Sequence, residues 1–420
     1  MRRLSLREIL VLNGYWVGLS FMWNSLHLIV LPAVLLNFVP DSLKNSYLGL
    51  LTFLGLVLAT IVQPLAGALS DRWASRWGRR RPLIVIGTAV DFLFLAFLGW
   101  AGGLWMLYVG YLGLQISSNL AHGALQGLLP DRVPPEQLGS ASGIKTMMDM
   151  AGLVVASFVM GRVISPGTQH PVVAMLAVAL VLAVGGAVTV AGAGEASSER
   201  PAEPPRSLSE LFRETFHVDL AAHAGYWWLI GSRFLYLLGV YGIQQFAQYY
   251  LQDRLKVPNP PKATGDLMAA LVLALIVFAV GAGWLADRWG RRRVLAVAGV
   301  VGAVGSLLLL AARTVPQLML YGSVFGAGLG MFLSANWALA TDLAPATEAG
   351  KFLGLTNLAT AGAGALGRLE GPAIDLLNRA RPGQWWGYIA LFLFGGVCTL
   401  LSIVLLVKVP ERRAGVSQLP

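Results

Sequence analysis

The sequence predicts an all-α polytopic membrane protein with twelve transmembrane helices in two six-helix bundles. The chain has 420 residues, of which 56% are hydrophobic and only 12% are charged, whereas a soluble protein usually carries about 25% charged residues. Several apolar stretches exceed about 18 residues, the length at which a helix crosses a bilayer. A charged segment also recurs at half the chain length, which indicates two related halves.

The predicted spans alternate with short polar segments along the whole chain. Because the first apolar segment lacks a small-residue cleavage site, it is interpreted as a span and not as a removed signal peptide. The expected spans are Ile9–Phe38, Tyr47–Leu69, Leu83–Trp100, Trp105–Leu128, Ile144–Ile164, Val172–Ala193, Tyr226–Tyr250, Asp266–Ala286, Val294–Ala312, Pro316–Thr341, Phe352–Leu377 and Gln384–Val407. Residues 1–193 and 223–420 form the two predicted bundles, and 194–222, rich in Pro, Ser and charge, form a linker.

The charged segment first occurs at Gly67–Pro82, GALSDRWASRWGRRRP, and again at Gly283–Arg293, GWLADRWGRRR. The shared positions are Asp71, Arg72, Gly78, Arg79 and Arg80 in the first copy and Asp287, Arg288, Gly290, Arg291 and Arg292 in the second. A second motif supports the duplication: an Asp followed by Pro and then Gly begins at Asp131 and at Asp342. Asp131 lies 53 residues after Gly78, and Asp342 lies 52 residues after Gly290.

Basic residues indicate the orientation of the spans. With both termini inside, the inner segments hold 20 Lys and Arg, and the outer segments hold 8 when Arg162 at the outer end of span five is included. The positive-inside rule then predicts an integral plasma (inner) membrane protein with its termini, linker and both charged segments in the cytoplasm. The net charge of +10 lies in these short segments, so nucleic acid is excluded as a partner and the lipid bilayer is expected instead.

Motifs of enzymes are missing from the sequence. It contains no GxxxxGK[ST], HExxH or GxSxG pattern, so neither ATP-driven transport nor enzyme activity is expected. The single cysteine, Cys398, lies in the last predicted span, which excludes an intramolecular disulfide and a cysteine metal site. No cofactor and no metal are predicted.

The second charged segment, Gly283-x-Leu-Ala-Asp-Arg-x-Gly-Arg-Arg, resembles the signature loop of the major facilitator superfamily. The resemblance covers the whole chain through the span count, both loops, the Asp–Pro–Gly motif and the linker. It implies a monomeric secondary active transporter of a small molecule that works by alternating access, with the charged segments as a conformational latch. Alternatively, the arginines only anchor topology against the anionic leaflet.

The extended first loop, SDRWASRWGRRRP, is similar to that of the sucrose-transporter and glycoside symporter branch. Melibiose-type symporters share this extended loop but carry a pair of acidic residues in span two, whereas Tyr47–Leu69 contains no acid. The resemblance therefore favours a proton over sodium as the co-substrate. Proton-coupled symport of a sugar or glycoside is the leading expectation; the alternatives are an exporter of amphipathic compounds or drugs and a non-transporting membrane sensor.

Ionisable residues inside spans are costly and therefore mark functional candidates. Asp149 is the first candidate for proton coupling, although it can simply pair with Lys145 at i, i+4. His27 can carry a proton or be a hydrogen-bonded packing group. Asp91 and Glu370 are further proton-coupling candidates, although a helix-packing role is favoured for Asp91. Arg368 with Glu370 can form a buried pair, an outer gate or a substrate contact.

Other polar residues inside spans are expected to line a substrate cavity or to bond neighbouring helices. In span four they share one helical stripe, at i, i+4, i+7 and i+11. Amides and aromatic rings on one face of span seven suit a polyhydroxylated ligand. The cavity candidates are Asn24, Gln115, Asn119, His122, Gln126, Arg233, Tyr241, Gln244, Gln248, Asn336, Asn357 and Arg368.

Overall fold

The computed structural model describes residues 3–71, 73, 75–194, 224–344 and 349–410, and all regular structure in these residues is helical. Contacts divide the chain into two units. One unit is Met1–Pro204 with Pro258–Asp266, and the other is Pro205–Val257 with Leu267–Pro420. Except for Gly194, the predicted linker 194–222 lies outside the described residues.

In the described part of residues 3–194, the first unit contains six long helices. A capping box starts the first one, since the Ser5 side chain accepts from the Glu8 backbone N–H and the Glu8 carboxylate accepts from the Ser5 backbone. Pro82 stands in the first turn of the third, where its missing N–H has no helical partner to lose. The helices are α1 (Leu6–Leu35), α2 (Lys44–Asp71), α3 (Arg81–Gly99), α4 (Leu104–Arg132), α5 (Leu138–Val163) and α6 (Val172–Gly192).

Six further long helices follow, and the eleventh is interrupted. It consists of the segments Ala349–Arg368 and Gly371–Ala380. The second has Pro372 in its first turn, and a proline cannot donate a backbone hydrogen bond to the preceding turn. The other helices are α7 (Ala224–Asp253), α8 (Pro260–Trp289), α9 (Arg291–Ala311), α10 (Val315–Leu343) and α12 (Trp386–Leu406), and the two segments together are α11.

Helix packing repeats between the two units. In the first unit α1 packs on α5 and α6, while α3 packs on α4 and α6. In the second unit the equivalent pairs are α7 with α11 and α12, and α9 with α10 and α12. The duplication inferred from the charged segments therefore extends to the packing of the helices.

Polar residues are concentrated in three helices. Among the described residues, nine helices are long and apolar enough to cross a membrane by composition alone. The three others are α4, α7 and α11, which carry most of the predicted cavity residues. Their lower hydropathy thus arises from side chains that the sequence already marked as functional candidates.

The structure corrects the predicted connection at each charged segment. Asp131 and Asp342, assigned to loops from the sequence, lie in the last turns of α4 and α10. In the second copy the connection shrinks to Gly290 alone, because α8 ends at Trp289 and α9 begins at Arg291. The first copy keeps a longer connection, residues 72–80, in which Arg72 and Ala74 are outside the described residues.

Two glycines make these connections possible. Gly78 and Gly290 have φ angles of 93° and 95°, a region that side chains disfavour. We expect Gly290→Ala to lower the free energy of unfolding by about 1–3 kcal/mol. A one-residue connection has no neighbouring loop residues whose backbone angles could change to relieve the strain of a positive φ angle. Thermal unfolding of the purified protein measures this cost.

Gly139→Ala is the matched control for this substitution. Gly139 lies inside α5, and a Cβ added there would meet no atom within 4 Å. Alanine is the better helix former, so the control should leave the melting temperature unchanged or raise it. Equal melting temperatures for Gly290→Ala and Gly139→Ala would show that the turn tolerates a side chain.

Candidate functional site

Arg80 lies at the centre of the first charged segment. Its side chain is only 6% exposed and pairs with Asp71 at the end of α2 (Nη2–Oδ1, 2.5 Å) and with Asp131 in α4 (Nε–Oδ2, 2.8 Å). Nη1 also donates to Ser70 Oγ at 3.1 Å. Burial alone would lower the pKa of Arg80, but the hydrogen bonds and charges of Asp131 and Asp71 outweigh it and raise the pKa above its ordinary value.

Arg79 completes a cluster around the same aspartate. It donates to Asp131 from Nη2 (2.5 Å) and from Nε (3.2 Å), which makes a two-point guanidinium–carboxylate contact. The guanidinium of Arg80 crosses α4 at Gly127, where a Cβ would collide with it. The ends of α2, α3 and α4 are therefore joined by one ionic cluster with the buried Arg80 at its centre.

The second charged segment repeats part of this cluster. Arg291, which corresponds to Arg79, forms an ion pair with Asp342 and donates to the Ala338 carbonyl. Arg292 donates to the Val407 carbonyl at 3.2 Å, and Arg288 lies 3.9 Å from the ring centre of Trp284. Asp287 is exposed.

In both units the two motifs recognised separately in the sequence meet in space. The first arginine after the glycine binds the aspartate at the end of the fourth or tenth helix. Each partner named for these arginines belongs to the same unit as the arginine. These contacts therefore brace each unit internally. A latch that joins the two halves stays a prediction.

An aromatic and amide cluster lies between α1 and α4. His27 Nε2 and Gln115 Nε2 both bond the hydroxyl of Tyr111, at 2.8 and 2.7 Å. Asn119 donates to the backbone and side-chain oxygens of Gln115, at 2.7 and 3.1 Å. The His27 ring stacks on Trp23, with 5.4 Å between centroids and 19° between planes. Gln115 and Asn119, predicted to line a cavity, are buried and bond within the helix stripe.

His27 lies in a π-helical turn that the sequence did not predict. The turn spans Leu26–Val30 and precedes Pro32, whose ring removes a backbone donor from the following turn. Such turns shift the helix register by one residue and often occur at functional sites. The Leu-Pro step at residues 31–32 is the sequence signal that marks it.

A loose ion pair on α5 faces the aromatic side chains of α1. Lys145 Nζ lies 3.8 Å from Asp149 Oδ2, and both side chains are about a third exposed, at 32% and 30%. The same Nζ lies 3.8 Å from the ring centre of Trp16. Ser20 Oγ donates to the Asp149 carbonyl at 2.6 Å, and Asn24 donates to the Ser20 carbonyl at 2.7 Å.

His122 and Gln126 continue the polar stripe of α4 toward the charged end. The Trp16 ring meets His122 edge-on, with 5.0 Å between centroids. Gln126 Nε2 lies 3.5 Å from His122 Nε2 and is exposed. The stripe thus runs from a buried part at Gln115 to an accessible part at Gln126.

Asp91 is placed away from this cluster, in the contact between α3 and α4. It is fully buried and accepts a hydrogen bond of 2.5 Å from Ser117 Oγ. Its second oxygen, Oδ2, has no hydrogen-bond partner among the described residues. The location matches the helix-packing role that the sequence favoured.

In the second unit, Arg233 of α7 is 6% exposed. Its Nε donates to Thr360 Oγ1 of α11 at 2.8 Å, and its Nη1 donates to Asn336 Oδ1 of α10 at 2.7 Å. One guanidinium therefore joins three helices. Sequence reasoning named Arg233 and Asn336 but not Thr360, which lies three residues after Asn357 on α11.

Packing buries part of the predicted amide face of α7. Gln248 is 2% exposed, and Gln244 is half-buried and donates to Met268 Sδ at 3.7 Å. Beside Gln244, the second unit contains a small cavity of about 20 Å³. Its walls come from α7, α8, α9, α10 and α12, and apart from Gln244 and Tyr250 its lining is apolar.

Glu370 and Arg368 do not form the pair that the sequence allowed. Both carboxylate oxygens of Glu370 are buried without a hydrogen-bond partner, and the group packs against Gly242 of α7. Arg368 Nη1 donates to the Gly364 carbonyl at 2.6 Å, one turn back on its own helix. Asn357 is exposed on α11.

Sequence reasoning missed the aromatic residues that hold the polar groups of the first unit. Trp16, Trp23 and Tyr111 contact Lys145, His27 and His122. Trp16 and Trp23 are spaced i, i+7 and Trp23 and His27 i, i+4, so this helical face of α1 was recognisable. In the part of the chain that the structure describes, no group of three or more His, Cys, Asp or Glu could hold a metal ion.

The family model described as Major Facilitator Superfamily matches residues 10–367 and 259–419. The multi-drug resistance efflux pump PmrA of Streptococcus pneumoniae is 24% identical over 397 residues, 92% of each chain. The class D tetracycline resistance protein of Salmonella ordonez is 26% identical over 401 residues, 91% of this chain and 92% of its own. The human proton-associated sugar transporter A is 38% identical over 82 residues, 20% of this chain and 10% of its own.

Solved structures show the same fold. A bacterial homolog of the human lysosomal transporter Spinster superposes with a TM-score of 0.71 at 16% identity, over 98% of this chain and 100% of its own. The nucleoside transporter NupG gives 0.69 at 14% identity, over 96% and 99%. From its family match, the twelve long helices of its described residues and its repeated charged segments, the chain belongs to the major facilitator superfamily, and it is a membrane transporter and not an enzyme.

Proposed function

We propose that the protein is a proton-coupled exporter of amphipathic small molecules that works by alternating access. In this proposal it is a monomer in the plasma membrane, with both termini and both charged segments in the cytoplasm. The bundles 1–193 and 223–420, joined by the linker 194–222, move against each other around the substrate. The observation that carries the proposal is the Lys145–Asp149 pair beside the aromatic face of α1.

The geometry of this pair suits reversible protonation. At 3.8 Å the two charges attract each other but share no short hydrogen bond. When Asp149 takes up a proton, Lys145 loses its counter-charge and keeps only its contact with the Trp16 ring. The charge at the aromatic face thereby changes with proton occupancy, which couples the proton to whatever binds at that face.

Amphipathic substrates suit the side chains around the pair. Trp23 offers a half-buried flat apolar surface backed by the buried Tyr111 ring, and the half-buried His27 and Asn24 offer polar groups. Relatives whose whole length aligns with this chain support export, since they are named for efflux and resistance. The sugar-named relative aligns over only 20% of the chain.

Proton-coupled symport of a sugar or glycoside is the second candidate. It is supported by that local similarity at 38% identity and by the extended first charged segment. The amides of α4 favour it less than the sequence suggested, because Gln115 and Asn119 are buried and bonded to each other.

Vesicles of opposite orientation separate the two candidates. Everted vesicles with an acidic lumen should accumulate amphipathic dyes, at least several-fold above vesicles without the protein, and right-side-out vesicles in acidic medium should not accumulate labelled disaccharides. The reverse pattern would replace export by sugar symport. Accumulation of neither class at any imposed gradient would refute both.

A further inference from the structure

Arg233 is a buried cation whose partners in the second unit are all neutral. Its two hydrogen bonds go to a hydroxyl and to an amide oxygen, at Thr360 and Asn336. Among the described residues, no carboxylate forms an ion pair with it. A guanidinium stays charged in proteins, and a buried charge without a counter-charge costs several kcal/mol. The fold thus holds a positive charge that it does not neutralise.

Hydrogen-bond donors outnumber acceptors at this position. A guanidinium has five N–H donors, and Arg233 uses two of its groups, Nε and Nη1, in the described hydrogen bonds. Asn336 is fully buried, and its Nδ2 has no hydrogen-bond partner among the described residues. Buried donors are normally satisfied, so the surplus at this position calls for an acceptor that carries negative charge.

Next to the buried Arg233 and Asn336, the side chains of α11 are more exposed. Thr360 is half-buried and Asn357, one turn earlier on α11, is exposed. Further along the α7–α11 contact, the Tyr241 ring and the Arg368 guanidinium both approach Gly364. A ligand that reaches Arg233 along α11 would therefore find an aromatic ring and a second cation next to the donors.

We propose that Arg233 and Asn336 bind the carboxylate of the substrate, so that the preferred substrates are amphipathic organic anions. The inference rests on the proposed transport function and names its substrate class. A planar carboxylate has four lone-pair sites and matches the guanidinium fork. It supplies both the missing hydrogen-bond acceptors and the missing negative charge. A neutral sugar supplies only acceptors, and a cationic drug supplies neither.

Equilibrium binding to the purified full-length protein in lipid nanodiscs tests this inference without any transport step. The probes are naphthalene-2-carboxylate and 2-naphthalenemethanol, which share a ring system and differ in charge. We expect the wild-type protein to bind the carboxylate about tenfold more tightly or better, as charge-assisted hydrogen bonds predict. Arg233→Gln should remove that preference and leave the Kd of the alcohol within about twofold.

Asn336→Asp provides a second variant that keeps the size of the side chain. The new carboxylate would accept from Arg233 Nη1 in place of the amide and neutralise the charge internally. We expect the melting temperature to rise and the preference for the carboxylate probe to be lost together. A purely structural role for Arg233 predicts stabilisation with unchanged probe selectivity.

Arg379→Gln is the matched control, because Arg379 is exposed on the second segment of α11 and bonds only its own helix at the Asp375 carbonyl. It should bind both probes like the wild type. Equal affinity of the wild type for the two probes, or a carboxylate preference that survives Arg233→Gln, would overturn the inference. Either result leaves proton-driven export of other compounds intact, whereas failure of vesicle transport would not alter these binding constants.

Discussion

Asp149→Asn should abolish proton-driven transport while leaving substrate exchange. The amide has the shape of a protonated carboxyl but cannot take up or release a proton, so Lys145 is held in one charge environment. We expect uptake driven by an imposed pH gradient to fall at least about tenfold, the effect expected for a group needed for proton transfer. Counterflow exchange at equal pH on both sides should continue, because it needs alternation but no net proton movement.

Two variants control for this expectation. Asp41→Asn changes an acid whose side chain is 83% exposed beside Lys44, and it should transport like the wild type. Asp91→Asn removes the buried acid between α3 and α4 and should alter stability more than coupling, since Asp91 bonds only Ser117 in the described structure. Gradient-driven uptake that persists in Asp149→Asn and disappears in Asp91→Asn would move the coupling site to α3.

The second large effect concerns the ionic cluster of the first unit. Asp131→Ala should destabilise the protein by about 3 kcal/mol, because it removes the less exposed of the two carboxylates, Asp131 and Asp71, that pair with the buried Arg80. For a unit of this size the melting temperature should drop on the order of 5–10 °C. Thermal unfolding in detergent or nanodiscs measures the drop.

The duplicated aspartate supplies the matched control. Asp342 is 40% exposed and its partner Arg291 is 23% exposed, so Asp342→Ala should cost about 1 kcal/mol or less. The double variant Asp131→Ala with Arg80→Met should recover part of the loss, since it no longer buries a charge that has lost one of its counter-charges. Equal costs for the two aspartates would show that burial does not distinguish the two copies.

Much of the fold was predictable because bilayer thickness imposes a simple rule. Twelve apolar stretches gave the twelve helices, with ends misplaced by up to about two turns where polar residues continue a helix beyond the bilayer core. Asp131 and Asp342 were assigned to loops for this reason, since polarity alone does not end a helix. The interruption of α11 and the π turn at His27 arise from Pro372 and Pro32, whose effects depend on packing as well as on the sequence.

Pairing within the site was less predictable. The nearly equal separations from Gly78 to Asp131 and from Gly290 to Asp342 indicated that these motifs are related, but spacing alone does not distinguish contact from shared ancestry. Lys145 and Asp149 could be paired because i, i+4 neighbours on a helix always face one another. The contacts of Arg233 with Asn336 and Thr360 span 103 and 127 residues, and only the packing of α7, α10 and α11 brings them together.

The coupling of substrate flux to proton flux is the central claim, and a trapped pH dye measures it directly. Proteoliposomes contain pyranine, have equal pH on both sides and receive the amphipathic dye that everted vesicles accumulate fastest. Export by exchange with protons predicts that downhill dye entry drives protons out and makes the lumen more alkaline, in the wild type and not in Asp149→Asn. An acidified lumen would instead show symport, and an unchanged lumen pH during dye entry would show that the protein does not couple to protons.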